Sequence, residues 1–291
     1  MPQTSSAEPS TASSGYSDSK LAAADIDQYY SLLFAPTAER QPLTALYAWW
    51  QELREIPIEC SDPEVARTKL AWWHEEMHRL YAGQPRHPAA VALRDAIVEY
   101  QLPAALFFDI IEAFARHAVT EPYVDEAAIR EHARQTRGVL ERLAARVANG
   151  SEDLTVERIG TLLELARLLR DTGVVAQRGR HYFSAEALRR FEVSASDILH
   201  GRPTTALKKL IASRAEQIQE ELREARNAVP TSTRSNLASL LAESALAQTL
   251  LDRIRDDPAI VLREQPRLSA LRRLWIAWRT ARRARRWSPH A

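Results

Sequence analysis

Two glutamates four residues apart are the first candidate metal ligands in the sequence. Glu55 and Glu59 form a Glu-x-x-x-Glu pair, and residues at positions i and i+4 lie on the same face of a helix. Carboxylate oxygens are ligands that Mg²⁺ accepts. Pro57 lies between them, removes the amide that would bond to Leu53 and tends to kink a helix. We therefore interpret Glu55 and Glu59 as a weak candidate pair of metal ligands.

A second pattern, residues 74–78 (HEEMH), satisfies the H-E-x-x-H signature of zinc proteases. Glu76 places a charge where such helices usually carry an uncharged residue, and position 81 is Tyr81, where the longer metzincin form requires glycine. We interpret this segment as a solvated helix face. Cys60 has no histidine nearby in the sequence, which argues against a nucleophile.

The third chemically distinctive segment is residues 267–286, which carry eight arginines and no acidic residue. An apolar stripe runs along it, formed by Leu268, Leu271, Leu274, Trp275 and Trp278. A basic amphipathic helix with tryptophans can lie at an anionic membrane surface, and it can equally dock its stripe on a helical bundle. We expect the stripe to dock and the end of the helix to contact a membrane or a partner. The predicted contact residues are Trp278, Arg279, Arg282, Arg283, Arg285 and Arg286.

The composition predicts that helices position all these groups. The 291 residues include only 8 glycines and are 45% hydrophobic, and no stretch shows strand-like alternation. The fold class predicted is all-α. A formal net charge of +1 argues against a globally basic nucleic-acid binder. The single cysteine cannot form an intramolecular disulfide, which suits a reducing compartment.

The pattern along the chain predicts one domain with a tail. Residues 1–24 are rich in serine and threonine, so we expect a disordered tail. Residues 25–291 are expected to form one α domain that ends in a basic helix at 266–287. No run approaches the roughly 20 apolar residues that span a bilayer, so we expect a soluble or peripheral protein. The helices predicted after residue 25 include 65–81, 87–100, 103–118, 125–148, 155–175, 203–227 and 231–254.

Four blocks, in order, resemble the squalene/phytoene synthase family. Together they cover most of residues 26–200. They are Tyr30-Ser31 with Ala35-Pro36, Arg40 and residues 46–49; residues 70–93; Leu169-Arg170-Asp171 with Arg178-Gly179-Arg180 and Tyr182-Phe183; and residues 185–199.

The resemblance implies an isoprenoid-synthase-type helical bundle around a central apolar cavity. Family members condense two prenyl diphosphates head to head, with magnesium held by two aspartate-rich motifs. In this chain Arg54 and Ile58 stand at two aspartate positions of the first motif. The second motif keeps Asp171 but has Val175 at its other aspartate position. The resemblance therefore implies that most of the metal ligands are lost.

The basic and aromatic half of the family's site is better preserved. The resemblance implies that its members bind diphosphate or shape the pocket. They are Arg40, Tyr47, Arg170, Asp171, Arg178, Arg180 and Tyr182. Guanidinium groups bind phosphate without a metal, although these arginines could instead pair with helix carboxylates. Trp49-Trp50 and Trp72-Trp73 could line an isoprenoid cavity or pack in the core.

Within the family, the chain is similar to the branch of the mitochondrial complex I assembly factor. The features shared with that branch are Trp72-Trp73, His87-Pro88 and Trp278-Arg279. We expect a protein without normal catalysis or cofactor, which binds an isoprenoid or prenyl diphosphate or acts in assembly at the inner face of the membrane, with no nucleic-acid partner. One alternative is an active prenyltransferase whose Mg²⁺ is held by Glu55, Glu59 and Asp171. Another is a membrane-surface adaptor that acts through its basic helix.

Overall fold

The computed structural model describes residues 9–60, 62–118, 123–150 and 152–286, with side chains from residue 15 onward. Every regular element in these ranges is helical, which confirms the predicted all-α class. The α-helices are α1 (Pro9–Ala24), α2 (Ile26–Leu32), α3 (Thr37–Glu59), α4 (Pro63–Tyr81), α5 (Pro88–Glu99), α6 (Ala104–His117), α7 (Glu126–Ala133), α8 (Val139–Asn149), α9 (Leu154–Arg170), α10 (Thr172–Ala176), α11 (Ala185–Arg190), α12 (Ala195–Leu199), α13 (Thr205–Ala228), α14 (Ala238–Asp256), α15 (Ile260–Arg263) and α16 (Ala270–Arg286).

Aspartate caps begin several of these helices. The Asp62 side chain accepts a hydrogen bond from the Glu64 amide at 2.8 Å, and Pro63 occupies the first turn of α4. Asp25 and Asp153 cap α2 and α9 in the same way. A capping side chain satisfies amides that have no partner within the helix. Local sequence therefore explains where these helices start.

Two long predicted helices are interrupted in the structure. The helix expected over 125–148 contains a π-helical turn at Arg134–Gly138, and the helix expected over 155–175 ends at Arg170. The π turn lies where α8 approaches α9 closely. A Cβ at Gly160 would lie only 2.8 Å from the Arg137 carbonyl oxygen. Glycine at this crossing lets the two helices approach without a clash.

The predicted disorder of residues 1–24 is wrong for residues 9–24. These residues form α1, which packs against α3 and α5. Leu21 is fully buried, and the Tyr16 hydroxyl donates to Glu52 at 2.5 Å. These two side chains provide apolar burial and a specific contact that the serine-rich composition did not reveal. Residues 1–8 lie outside the described residues.

The core consists of two large apolar clusters. One cluster includes residues of α1, α3, α4, α5, α6 and α8, and the other is centred on α9, α13 and α14. Trp49 and Trp50 are completely buried in the first cluster, where Trp49 packs edge-on against Phe107 with ring centroids 4.9 Å apart. These two tryptophans therefore pack in the core. Trp72 remains 44% exposed on α4.

Helix α16 docks on the bundle through a different face from the one predicted. Its buried residues are Arg273, Ala277, Ala281 and Ala284, and it packs against α14 and α2. Leu268, just before the helix, is buried, but the rest of the predicted stripe is exposed. The prediction that this stripe docks is wrong because the small alanines allow a closer approach to the bundle than leucine and tryptophan. No helix among the described residues has the length and apolar character needed to cross a membrane.

Candidate functional site

Asp171, which the resemblance assigns to the second aspartate-rich motif, lies buried at the end of α9. One carboxylate oxygen accepts a hydrogen bond from Arg167 Nη1 at 3.2 Å, and the other accepts from Arg170 Nε at 2.9 Å and Gln265 Nε2 at 2.8 Å. Burial opposes the charge of Asp171, but Arg170 and Arg167 hold its pKa well below the usual range. The carboxylate is therefore ionised and already engaged by three donors.

Arg54, which the resemblance aligns with an aspartate of the first motif, is 7% exposed. Its guanidinium lies 5.5 Å from the Trp50 ring centroid, its Nε has no hydrogen-bond partner, and among the described residues no carboxylate is within 4.0 Å of it. Burial and repulsion from Arg167 lower the pKa of Arg54 to about 10. Arg54 is thus a buried cation without an ion-pair partner in the described chain.

Arg137, on the π turn, fills the space between α3, α8 and α14. It is 2% exposed; its Nε donates to Glu141 at 2.6 Å, and its Nη2 donates to Glu243 at 2.9 Å. Its guanidinium carbon lies 5.1 Å from the ring centroids of both Tyr47 and Trp50. The Tyr47 hydroxyl donates to Glu141 at 2.9 Å. A charged side chain, held on every side, therefore occupies the interior beside Tyr47.

One guanidinium serves two carboxylates in this part of the interior. Burial opposes the charge of Arg137, but Glu243 and Glu141 hold its pKa above the usual value. Burial and the negative charge of Glu141 raise the pKa of Glu243 to about 8. Near neutral pH, Glu243 therefore keeps a proton that an exposed glutamate would lose.

The same network ties α16 to the bundle. Arg273 of α16 forms a buried ion pair with Asp27 of α2, and Arg170 lies 3.6 Å from the other Asp27 oxygen. Arg167 also donates to Glu164 at 2.9 Å. The network thus connects α2, α3, α8, α9, α14 and α16. Its arginines are Arg54, Arg137, Arg167, Arg170 and Arg273, and its carboxylates are Asp25, Asp27, Glu141, Glu164, Asp171 and Glu243.

Little space remains around these groups. The cleft between α2, α9 and α14 is lined by Asp25, Asp27, Arg137, Glu164, Arg170 and Glu243 among others, and about 40 Å³ of it is open to the centre of a water molecule. Pockets for drug-sized ligands are roughly 300–1,000 Å³. In this conformation the cleft has room for water-sized molecules but not for a prenyl chain.

The predicted diphosphate ligands Arg178 and Arg180 contact the last turn of α3. Arg178 donates to the Ile58 carbonyl at 2.5 Å, and Arg180 donates to the carbonyls of Pro57 and Ala118. Cations are favourable at helix C-termini, where carbonyls lack partners. Helix α3 continues through Pro57 to Glu59, so Pro57 does not end the helix. Because Pro57 lies in the last turn, few helical hydrogen bonds depend on it.

Arg40 and Tyr182 also have partners within the protein. Arg40 donates to the Leu33 carbonyl at 2.9 Å, at the end of α2. The Tyr182 ring stacks on His132 with centroids 6.5 Å apart, and its carbonyl accepts from Arg214. The arginines therefore pair mainly with carbonyls, where carboxylate pairing was the alternative expected. A diphosphate-binding role for these residues stays a prediction.

Glu55 and Glu59 do not lie near Asp171. Glu55 pairs with Lys20 at 2.5 Å, and Glu59 is exposed. Both line a surface groove between α3 and α4 that does not include Asp171, together with Glu52, Ile56, Lys69, Trp72 and Trp73. The predicted surrogate site of Glu55, Glu59 and Asp171 is thus not assembled, because the two glutamates lie on the face of α3 that points towards α4.

The donors around Asp171 do not fit magnesium. Mg²⁺ requires near-octahedral oxygen ligation, whereas Asp171 is surrounded by arginines and its oxygens already accept hydrogen bonds. In the described ranges no group of three or more His, Cys, Asp or Glu side chains could hold a metal ion. The residues around Asp171 therefore do not form a coordination shell for Mg²⁺.

The histidine motif on α4 is structural. The rings of His74 and His78 both pack against Phe108, with centroids 4.6 and 4.7 Å away. Glu76 between them is completely buried and accepts hydrogen bonds from the amides of Arg86 at 2.6 Å and His87 at 2.7 Å. The motif thus anchors the turn before α5, an arrangement more specific than the solvated face expected.

Sequence reasoning missed the network residues Arg137, Glu141, Glu164, Arg167 and Glu243. Each is a charged residue at a buried position of a helix. One signal was present, since Arg137 and Glu141 are four residues apart, and so are Arg167 and Asp171, the spacing of ion pairs on a helix. That spacing is equally common on exposed faces, so it did not single out these residues.

Sequence comparisons show extensive similarity to one family. The family model described as squalene/phytoene synthase matches residues 21–272. The 15-cis-phytoene synthase of Synechococcus elongatus is 29% identical over 192 residues, 60% of this chain and 61% of the relative. The presqualene diphosphate synthase of Zymomonas mobilis is 29% identical over 168 residues, 55% of this chain and 56% of the relative. The aligned part thus spans about three fifths of the length of these curated relatives.

Solved structures share the fold over nearly the whole chain. A dehydrosqualene synthase in complex with ligand has a TM-score of 0.80 at 19% identity, covering 96% of this chain and 100% of that one. A squalene synthase from Alicyclobacillus acidocaldarius has a TM-score of 0.69 at 23% identity, covering 84% and 94%. At these identities the comparison establishes the helical architecture.

Proposed function

Because the chain belongs to the squalene/phytoene synthase family, we propose that it is a member without magnesium-dependent condensation that works as a binding or assembly protein at a membrane surface. The condensation begins with ionisation of an allylic diphosphate, and a metal neutralises the leaving group. A member that cannot hold the metal loses this step but keeps the helical scaffold.

One observation carries the proposal: Asp171 is fully engaged by Arg167, Arg170 and Gln265, while Arg54 stands where the first motif would supply an aspartate. A metal ion placed here would have to displace three donors and approach nearby guanidinium groups. Both requirements oppose cation binding electrostatically. The small interior cleft supports the same conclusion, since two prenyl chains do not fit beside Arg137.

A direct activity assay tests this proposal. Purified protein is incubated with farnesyl or geranylgeranyl diphosphate, with and without Mg²⁺, beside the Synechococcus phytoene synthase as a positive control. We expect no head-to-head product from this chain. Magnesium-dependent product that disappears in Asp171→Asn would overturn the proposal and support an active prenyltransferase with Mg²⁺ as its cofactor.

Arg54 favours a second candidate function, metal-independent binding of a prenyl diphosphate. A buried guanidinium without an ion-pair partner in the described chain is a potential anion ligand, and arginine binds phosphate oxygens in a bidentate manner. The balanced charge of the surrounding network opposes this function. We therefore rank diphosphate binding behind the alternative that the buried network only stabilises the fold.

Titration calorimetry with a non-hydrolysable farnesyl thiodiphosphate separates the two functions. Binding that persists in EDTA and is lost in Arg54→Met, but is retained in Arg54→Lys, would support a diphosphate-binding protein. Binding that requires Mg²⁺ would contradict both candidates. Absence of binding in all conditions would support the first candidate, an assembly protein that acts as a scaffold. Such a protein would work in the cytoplasm, at the inner face of the membrane.

A further inference from the structure

Helix α16 exposes its large apolar side chains and buries its small ones. Leu271 is 82% exposed, Leu274 42%, Trp275 53% and Trp278 44%. On the opposite side, the alanines and Arg273 pack on α14 and α2. An apolar helix face of this kind would normally be buried. A contiguous exposed apolar face of this kind is typical of an interaction surface.

The charges on the same face have one sign. The exposed arginines of α16 are Arg272, Arg279, Arg282, Arg283, Arg285 and Arg286, and residues 265–286 include no acidic residue. Arg279 lies over the Trp275 ring at 5.1 Å and Arg282 over the Trp278 ring at 5.3 Å. The basic groups are therefore held beside the apolar groups, as on the outer face of an interfacial helix.

The order of residues sorts these groups around the helix. Leu271, Leu274, Trp275 and Trp278 follow the spacing i, i+3, i+4 and i+7, which places them on one side. The exposed arginines interleave with them and flank them. A groove of about 420 Å³ beside Trp278 is lined by Phe34, Trp278, Ala281, Arg282, Arg285 and Arg286. This groove provides an apolar floor next to guanidinium groups that can bind phosphate.

We propose that the outer face of α16 is a docking surface for an anionic lipid bilayer, with the helix axis parallel to the membrane plane. The tryptophans and leucines enter the boundary between headgroups and acyl chains, and the arginines contact lipid phosphates. Charge complementarity selects this occupant, because a surface with six exposed arginines and no acidic residue matches a uniformly negative layer. The inference deepens the proposed function by naming its surface, and it does not depend on whether the interior is catalytic.

Vesicle co-sedimentation with the full chain tests the docking surface. Phosphatidylcholine vesicles are compared with vesicles that also contain phosphatidylglycerol. We expect binding to the anionic vesicles, weakened by added salt. Each arginine near an anionic surface contributes about 1 kcal/mol, which corresponds to about fivefold in the partition coefficient. Arg279→Gln/Arg283→Gln should therefore lower partitioning about 25-fold.

A matched control removes the same charge elsewhere. Arg94→Gln/Arg202→Gln changes two arginines with side chains 48% and 60% exposed on other parts of the surface, and it should retain most of the binding. Trp275→Ser/Trp278→Ser should likewise weaken binding strongly, because the apolar anchor is lost. Because both tryptophans are half-exposed, we expect these variants to fold, and circular dichroism checks this directly.

Three results would overturn the inference. They are equal binding to neutral and anionic vesicles, no binding to either, and binding by the α16 variants equal to that of the control. A dimer in solution that Trp275→Ser/Trp278→Ser converts to a monomer would instead assign the surface to a second copy of the chain. The outcome of the prenyl diphosphate assay is independent of this test, because a protein that fails to bind vesicles could still lack catalysis.

Discussion

Replacing Arg137 with methionine should destabilise the protein more than any change to a surface ion pair. Methionine keeps an unbranched side chain between Tyr47 and Trp50 but removes the donors to Glu141 and Glu243. The buried Glu141 carboxylate then loses its cation, and the protonated Glu243 loses its hydrogen-bond donor. Breaking a buried ion pair in this way costs about 3–5 kcal/mol, compared with roughly 5–15 kcal/mol for the total stability of a typical protein.

Urea denaturation followed by circular dichroism measures this loss, because the unfolding free energy extrapolates linearly to zero denaturant. The control is Arg130→Met, which breaks a half-exposed pair with Glu221 and should cost about 1 kcal/mol or less. Arg137→Met/Glu243→Leu removes a buried acceptor together with its donor and should recover part of the loss. The deficit of the single variant should also shrink at low pH, because the stranded Glu141 carboxylate can take up a proton.

A deficit below about 1 kcal/mol in Arg137→Met, equal to that of Arg130→Met, would refute the reasoning. It would show that water reaches Glu141 and Glu243 and replaces the guanidinium. Failure of the double variant to recover any stability would count against the pairing itself. The loss would then reflect packing around the missing guanidinium.

Three further changes test individual contacts. In the folded protein Glu243 has a raised pKa of about 8, so it holds a proton that the unfolded chain releases above the ordinary glutamate pKa of about 4.3. The stability that this proton contributes is therefore complete below about pH 4.3 and falls as the pH rises to about 8. The unfolding free energy of the wild type minus that of Glu243→Gln should therefore decline by up to about 1.4 kcal/mol per pH unit across this window, and a flat difference would mean that Glu243 is ionised in the folded state. Gly160→Ala should cost about 1–3 kcal/mol by overpacking, because its Cβ meets the Arg137 carbonyl oxygen at 2.8 Å; a melting temperature equal to the wild type would contradict the close crossing. Glu76→Gln should cost about 1–3 kcal/mol, since an amide is a weaker acceptor for the Arg86 and His87 amides, and faster hydrogen exchange at these two amides is the accompanying signature.

Local sequence rules predicted most of the helices and some of their ends. The Asp62-Pro63 start of α4 needs only a side-chain cap and a proline in the first turn, both of which lie next to each other in the chain. The interruption by the π turn at 134–138 was missed; the turn lies where α8 and α9 cross closely at Gly160. Local patterns carry no information about such a crossing.

The residues of the candidate site were predicted only in part, because sequence patterns do not show which helices come into contact. Asp171 and Arg170 were identified through motif position, and the structure places them together in the network. The partner of Arg137 in α14, Glu243, lies 106 residues away. A pattern of charges on one helix cannot show which residue of another helix will neutralise it. Glu55 and Glu59 have ligand spacing, but the rotation of α3 about its axis turns them towards α4.

The orientation of α16 shows a limit of hydrophobic patterning. The stripe from Leu271 to Trp278 is the more apolar face, and burial of apolar area would favour its docking. The structure buries the alanine face because Arg273 finds Asp27 there and the alanines allow close packing. One buried ion pair and steric fit therefore determined which face of the helix points outwards.

The Arg273–Asp27 ion pair joins residues 246 positions apart, which has a consequence during synthesis of the chain. At about 5–20 residues per second, the ribosome needs roughly 12–50 s to reach Arg273 after it has made Asp27. During that interval α2 stays open to solvent, or Asp27 enters the bundle with only the more distant Arg170 to offset its charge. A nascent chain that stops before α16 would carry this defect, and chaperones and proteases sort chains by such incomplete folding.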